Sequence, residues 1–248
     1  MTALLPDLSA FGWAFAALSV ALAAALQRIT GQGFGMVAAP LLALIVPKLL
    51  PTLLLILGAF VGWRAMRADR SAITLAELPP GFAGRALGAV LAAWLAAALI
   101  GSEGIGLVIA GIVYLAIALS LIGIRIAISP LSLFGAGLAA GLMGTLTAIG
   151  APPMALLYQH EERTRSAAMQ NSFFMFGMIV SLAALAWQGL VRAEHAMAAL
   201  ALSPATLFGL WVATPLSRLL RKTPARPIAL GLAGTSATIL LIRSLAAG

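Results

Sequence analysis

The sequence has no cysteine and very little charge of either sign. Only 9% of its 248 residues are charged, and just 7 residues are acidic. The lack of cysteine excludes disulfides, thiolate catalysis and cysteine-ligated metals. So few charges cannot cover a soluble core, since about a quarter of the residues in soluble domains are charged. These shortages exclude a soluble enzyme, a coiled coil and a disordered chain.

Apolar residues, in contrast, make up 62% of the chain and recur in long runs. A membrane-spanning helix needs about 20 such residues. We therefore predict an all-α polytopic membrane protein. The predicted segments are residues 10–26, 49–63, 82–100, 105–124, 131–143, 167–187, 196–213 and 228–241, with short apolar pieces at 36–46 and 154–158 and polar loops at 64–80 and 218–227.

The first apolar segment lacks the basic stretch that precedes the apolar core of a signal peptide. Asp7 is the only charge before Gln27. We expect this segment to be retained as membrane structure. The net charge of +8 is spread over short clusters between apolar runs, a pattern typical of cytoplasmic loops facing anionic lipid rather than of nucleic-acid binding.

Two breaks recur in the same order along the chain. Each is rich in glycine and threonine, precedes a proline and a short apolar piece, and is followed by three further segments; they lie at residues 27–35 and 141–153. Glycine permits positive φ, and proline removes a hydrogen-bond donor. Paired breaks of this kind indicate a transporter binding site, whereas ordinary loops or packing glycines are the alternative. We predict two repeats in one membrane domain, residues 1–128 and 129–248.

The distribution of basic residues favours inverted repeats. If all eight segments crossed the membrane, seven Lys and Arg would lie on each side. If each broken segment instead enters and leaves on one side, 11 lie in the cytoplasm and 3 outside, as the positive-inside rule requires. The 11 are Arg64, Arg67, Arg70, Arg85, Arg125, Arg163, Arg165, Arg218, Arg221, Lys222 and Arg226, and the 3 are Lys48, Arg192 and Arg243.

The residues of the two breaks resemble those of a known protein family. The first has Gly31, Gly33 and Gly35 followed by Pro40-Leu41, the second has Gly150-Ala151-Pro152-Pro153, and residues 165–176 follow it. In these residues the sequence resembles the TauE/SafE family of sulfite exporters and related anion permeases. Phe34 and Ala151 interrupt the denser glycine runs common in that family. The resemblance implies a plasma-membrane permease for sulfite, sulfonates or related small sulfur- or carbon-based anions.

Polar residues at the breaks are candidate ligands for an anion. Arg28 offers a planar fork suited to oxyanions, although it would equally cap a helix or extend to the interface. Backbone N–H groups near Met36 and Met154, at the starts of the short helices, would face an anion favourably. The alternatives are i−4 back-bonding for the threonines and interhelical hydrogen bonding for the amides. The predicted substrate-binding residues are Arg28, Thr30, Gly31, Gln32, Gly33, Gly35, Thr145, Thr147, Gly150, Gln170 and Asn171.

No metal site or cofactor is expected. His160 adjoins Glu161 and Glu162, but adjacent residues do not share a helix face, so we interpret this stretch as a solvated loop. The chain lacks an intramembrane aspartate pair, a zinc-binding histidine pair on a helix and a glycine-flanked serine nucleophile, so catalysis lacks its usual groups. We predict a secondary transporter for small anions in the cell membrane. The alternatives are an intramembrane enzyme and a non-transporting assembly subunit. The expected partners are the anion and the lipid bilayer, with a homodimer left open and no nucleic acid.

Overall fold

The computed structural model describes residues 5, 7–30, 33–68, 70–99, 105–121, 124–219, 231, 234–235, 237–239, 241–242 and 245. Within these ranges the chain is helical and contains no β-strand. The α-helices are α1 Ala10–Thr30, α2 Phe34–Ala43, α3 Thr52–Ala68, α4 Leu78–Leu99, α5 Ile105–Leu121, α6 Pro130–Thr147, α7 Pro152–Tyr158, α8 Arg163–Trp187 and α9 Ala193–Leu219. Short 3₁₀ turns at Pro47–Leu49, Arg70–Ala72 and Leu75–Glu77 lie on either side of α3.

Among the described residues, five helical segments are long and apolar enough to cross a membrane. They are Ala10–Ile29, Leu75–Ala98, Pro130–Thr147, Thr164–Trp187 and Ala193–Pro215. Large apolar side chains cover their outward faces; Trp94, Trp187 and Trp211 are 71%, 89% and 72% exposed. An apolar exterior of this extent suits lipid rather than water. The predicted class, a multi-pass helical membrane protein, is confirmed.

Helix boundaries differ from the predicted segments mainly around the loop expected at residues 64–80. Helix α3 continues to Ala68, and α4 already begins at Leu78. Pro79 and Pro80 lie in the first turn of α4, where the fixed φ of proline suits a helix and its missing N–H is not needed. The prolines therefore mark a helix start rather than the end of a loop. The loop at 218–227 and the segment at 228–241 lie largely outside the described residues.

Glycines on both helices allow α4 and α6 to pack backbone against backbone. A Cβ added to Gly88 would overlap the carbonyl oxygen of Leu138, and one added to Gly137 would overlap that of Gly81. In membranes small residues favour helix association because van der Waals packing is its main source of free energy. Gly137 lies beside Gly81 and Gly141 beside Gly88, so the two helices run parallel.

A pair of alanine substitutions in α6 tests this close packing. Gly137→Ala is expected to lower the free energy of unfolding by about 1–3 kcal/mol, because the new methyl group overpacks the interface. Gly135→Ala, two residues away in open space, is expected to raise it slightly, since alanine favours helix over glycine by about 1 kcal/mol. Thermal unfolding of the two purified variants in detergent measures both effects. Equal midpoints would contradict the described packing of α4 on α6.

Helix α8 also runs parallel to α4. At the starts of the two helices Arg165 forms an ion pair with Glu77, and one turn further along α4 the ring of Phe82 stacks on Phe176 at 3.9 Å between centroids. Since α4, α6 and α8 share one direction, α7 must return the chain towards the end of the bundle where α6 begins. This return follows directly after the second predicted break.

Candidate functional site

The first helix interruption lies between α1 and α2. Helix α2 begins at Phe34, with Gly33 as its N-cap at φ 123° and ψ −13°. Such a positive φ is accessible to glycine and strained for residues with a side chain. Helix α2 spans only 10 residues. The predicted interruption at residues 27–35 is therefore present, although α1 continues to Thr30.

The second interruption lies between α6 and α7. Helix α6 ends at Thr147, and Ala148 adopts a left-handed conformation with φ 63°. Helix α7 begins with Pro152 and Pro153 and spans 7 residues. A proline pair at this position suits the helix start, but it removes two of the N–H groups that a helix N-terminus usually presents.

These two interruptions contact each other. Gly35 lies so close to Ala148 that an added Cβ would overlap the carbonyl oxygen of Ala148. Between them is a cavity of about 10 Å³, room for about one water molecule. Its lining comes from both interruptions and from α8: Gln27, Gly33, Phe34, Gly35, Met36, Ala148, Ile149, Gly150, Ala151 and Phe174.

The cavity lies beside the middle of α8. Phe174 is 11 residues after the start of α8 at Arg163 and 13 residues before its end at Trp187. With a rise of about 1.5 Å per residue, more than 15 Å of helix extends on either side of Phe174. Gly58 and Gly62 of α3 pack against the same ring. The two interruptions are therefore central in a bundle whose long helices match the thickness of a membrane.

Gln27 connects the first interruption to α8. Its side chain is fully buried. Its Oε1 accepts the N–H of Phe34 at 3.1 Å, and its Nε2 donates to Oδ1 of Asn171 at 3.2 Å. The predicted site includes Asn171 but omits Gln27. The sequence feature that could have predicted a role for Gln27 is its position at the end of an apolar helix. A buried amide there needs hydrogen-bond partners for both its oxygen and its nitrogen.

The threonines of the second interruption bond within the protein. Thr147 donates to the carbonyl of Met143 at 2.8 Å, the i−4 bond expected as its alternative, and accepts the N–H of Ile149 at 3.2 Å. Thr145 bonds to Ser181 of α8 at 2.7 Å. Both hydroxyls therefore hold the end of α6 in place, and neither residue is part of the cavity lining.

The remaining predicted site residues are dispersed. Arg28 lies in the last turn of α1, is partly buried and does not line the cavity. Gln170 donates to Ser166 at 2.8 Å, and its buried Oε1 has no partner among the described residues. Gly31, Gln32 and the side chain of Thr30 lie outside the described residues.

Arg85 was counted among the cytoplasmic basic residues, but it is a buried residue of the helix bundle. It lies inside α4 and is only 2% exposed. Its Nη1 donates to the carbonyl of Ala140 and, at 3.4 Å, to that of Gly150 in the second interruption. Its Nε and Nη2 are buried without a hydrogen-bond partner among the described residues. The missed signal was a charge inside the apolar segment predicted at 82–100, which by default indicates function.

A polar cluster joins the start of α4 to the turn between α7 and α8. Arg165 pairs with Glu77 and Glu161, and the hydroxyl of Tyr158 donates to Glu77 at 2.7 Å. Glu162 caps α8, and the N–H groups of Thr164 and Arg165 lower the pKa of its carboxyl. The stretch predicted as a solvated loop is thus partly an ion-pair cluster. No group of His, Asp and Glu in the described ranges is placed to hold a metal.

Comparison with family models and with known proteins gives one match. A family model described as sulfite exporter TauE/SafE matches residues 16–240, nearly the whole chain. Neither a curated protein nor a solved structure matches the chain. The match covers both interruptions and every candidate membrane span except the first few residues of α1. The chain therefore belongs to the TauE/SafE sulfite exporter family, whose members are membrane transporters of sulfite and related sulfur anions.

Proposed function

We propose that this protein is a secondary transporter for sulfite, sulfonates or related small anions, and that it binds them between the two interrupted helices. The observation that carries the proposal is the contact of the two interruptions beside the middle of α8. Non-helical backbone at this depth is tolerated only where protein or a water-filled cavity satisfies it. Paired breaks are the usual means by which transporters present backbone groups to a solute.

The start of α2 supplies donors for an anion. The N–H of Phe34 bonds to Gln27 and that of Val37 to the carbonyl of Gly33. Helix geometry leaves the N–H groups of Gly35 and Met36 without an intrahelical acceptor. The positive end of the helix dipole adds a favourable field at the same point. These two groups adjoin the cavity, so they are the backbone donors that we assign to the anion.

The start of α7 contributes less than the sequence analysis expected. Pro152 and Pro153 have no N–H, and the N–H of Ala155 bonds to the carbonyl of Ala151. Only Met154 retains a first-turn donor, and a single N–H holds an anion weakly. The first interruption is therefore the main source of backbone hydrogen bonds in the proposed site.

The space that the described residues leave between the two interruptions is too small for the proposed solute. A cavity of about 10 Å³ holds a water molecule but no oxyanion. Anion binding therefore requires the two interruptions to separate. Separation would break the Gly35–Ala148 contact while each interruption remains attached to its own long helix. Exposure to alternate sides of the membrane would follow if the two halves of the chain rock against each other.

Helix packing supports the two proposed repeats, residues 1–128 and 129–248. In the proposed repeats, α1 to α4 of the first half correspond in order to α6 to α9 of the second half. The packing of α1 on α9 is then equivalent to the packing of α6 on α4. Contacts of α3 with α9 match those of α8 with α4 in the same way. The return of the chain through α7 supports a second broken segment that enters and leaves on one side. Without Arg85 the basic residues still divide 10 to 3 in favour of the inverted arrangement.

Transport by the purified protein in proteoliposomes tests the proposed function. Wild-type protein is expected to take up ³⁵S-sulfite with saturable kinetics, and an unlabelled alkanesulfonate is expected to compete. Protein-free liposomes measure the leak. Labelled solute recovered from the vesicles should be chemically unchanged, which separates transport from the enzyme alternative. If sulfite, alkanesulfonates and small carboxylates all stay outside, the transporter proposal is wrong.

A further inference from the structure

We infer that Arg85 is the positive charge that coordinates the transported anion and selects oxyanions. This inference rests on the proposed transport function and adds a residue to the proposed site. It depends on the burial of the guanidinium, its incomplete hydrogen bonding, the glycines around it and its position behind the second interruption.

The guanidinium of Arg85 is a buried charge with unused donors. Arginine carries five N–H donors and stays protonated, so it cannot relieve burial by becoming neutral. Carbonyl oxygens occupy Nη1 alone, while Nε and Nη2 have no acceptor in the described part of the chain. The ion pairs among the described residues all involve Arg165 or Arg192. A buried charge without a counter-charge is costly, and an incoming anion would supply one.

Three glycines from separate elements surround the guanidinium. They are Gly144 of α6, Gly150 of the second interruption and Gly177 of α8, and a Cβ added to any of them would overlap guanidinium atoms. This space is therefore shaped to hold arginine in the middle of the helix bundle. None of these glycines supplies a negative charge. If Arg85 served only to join helices, two of its nitrogens would remain without hydrogen-bond acceptors, and this would permanently lower the stability of the folded protein.

The position of Arg85 links it to the proposed site. Gly150 lines the cavity and also accepts from Nη1 of Arg85. Phe174 lines the cavity, and Gly177, which lies one turn further along α8, packs on Nε. Separation of the two interruptions would remove the Gly150 segment from between guanidinium and cavity. Gly150 lies against Nη1 and Nη2, so this movement would expose the edge of the guanidinium that these two groups form, and that edge can donate to two oxygens of a sulfite, sulfonate or carboxylate group.

Arg85→Gln and Arg85→Lys test this inference, with Arg64→Gln as the matched control on the exposed face of α3. Initial rates of ³⁵S-sulfite uptake give KM and kcat, and thermal unfolding in detergent with and without sulfite measures binding.

Arg85→Gln is expected to reduce uptake about a hundredfold and to abolish the sulfite-induced rise of the unfolding midpoint, since a bidentate charged pair is lost. Arg85→Lys keeps the charge without the fork, so its KM is expected to rise about tenfold. Arg64→Gln should match the wild type.

The outcomes separate this inference from the alternative of a structural clamp. If Arg85→Gln does not fold, Arg85→Lys decides. A raised KM with an unchanged unfolding midpoint in the absence of sulfite supports anion coordination. A wild-type KM in Arg85→Lys overturns the inference, and so does an intact sulfite-induced shift in an inactive Arg85→Gln protein. Both results leave the transport proposal standing. Lack of uptake by the wild-type protein would refute the transport proposal and this inference with it.

Discussion

Replacing Gly35 with alanine is expected to reduce sulfite transport at least tenfold while leaving the protein in the membrane. The added Cβ would overlap the carbonyl oxygen of Ala148, which belongs to the left-handed residue that ends α6. Both contacting segments are backbone, so neither yields by a side-chain rotation. The methyl group would force the two interruptions apart and shift the N–H donors of Gly35 and Met36. Uptake of ³⁵S-sulfite into proteoliposomes, normalised to the amount of inserted protein, measures the effect.

Gly111→Ala is the matched control for Gly35→Ala. Gly111 lies in α5, and a Cβ there would have no heavy atom of the described residues within 4 Å. The control should transport at the wild-type rate and be slightly more stable, because alanine favours helix. A wild-type rate in Gly35→Ala would mean that contact between the interruptions is not needed for transport. Loss of transport in both variants would show that the assay reports general damage.

Gln27→Leu is expected to impair both stability and transport. Leucine fills a similar volume but leaves the N–H of Phe34 and the side-chain oxygen of Asn171 buried without their partner. An unsatisfied buried polar group costs about 1–3 kcal/mol, so the free energy of unfolding should fall by about 2–4 kcal/mol. Transport should fall more than tenfold because the start of α2 is no longer held against α8. Chemical unfolding and sulfite uptake measure the two effects separately.

Gln159→Leu is a suitable control for Gln27→Leu. Gln159 also donates a side-chain hydrogen bond, to the carbonyl of Ile124 at 2.8 Å, but this bond is exposed and lies at the end of α7 opposite the second interruption. Its loss should cost little, since water replaces the partner. If Gln27→Leu retained wild-type stability and transport, the amide network would have no part in positioning α2.

Sequence patterns predicted the helical class and both interruptions, because long apolar runs and glycine–proline clusters act locally. They did not predict the partners of Gln27 or the burial of Arg85, since these depend on which helices meet. Arg85 lies near the start of the predicted segment at 82–100 and was counted on the cytoplasmic side, whereas Pro79 and Pro80 begin α4 earlier and place Arg85 two turns into the helix. For Thr147 the alternative interpretation, a hydrogen bond to the i−4 carbonyl, was correct, because that carbonyl is available in any helix.

The proline pair at the start of α7 makes the starts of the two short helices chemically unequal. The start of α2 lines the cavity and presents amide hydrogens, whereas α7 begins with two pyrrolidine rings that have no hydrogen to donate. The oxygen atoms of an organic sulfonate would face the amide hydrogens of α2 and the guanidinium of Arg85, and its carbon substituent would face away from both groups. One end of the solute would then determine affinity, and the other would determine which substituents are tolerated.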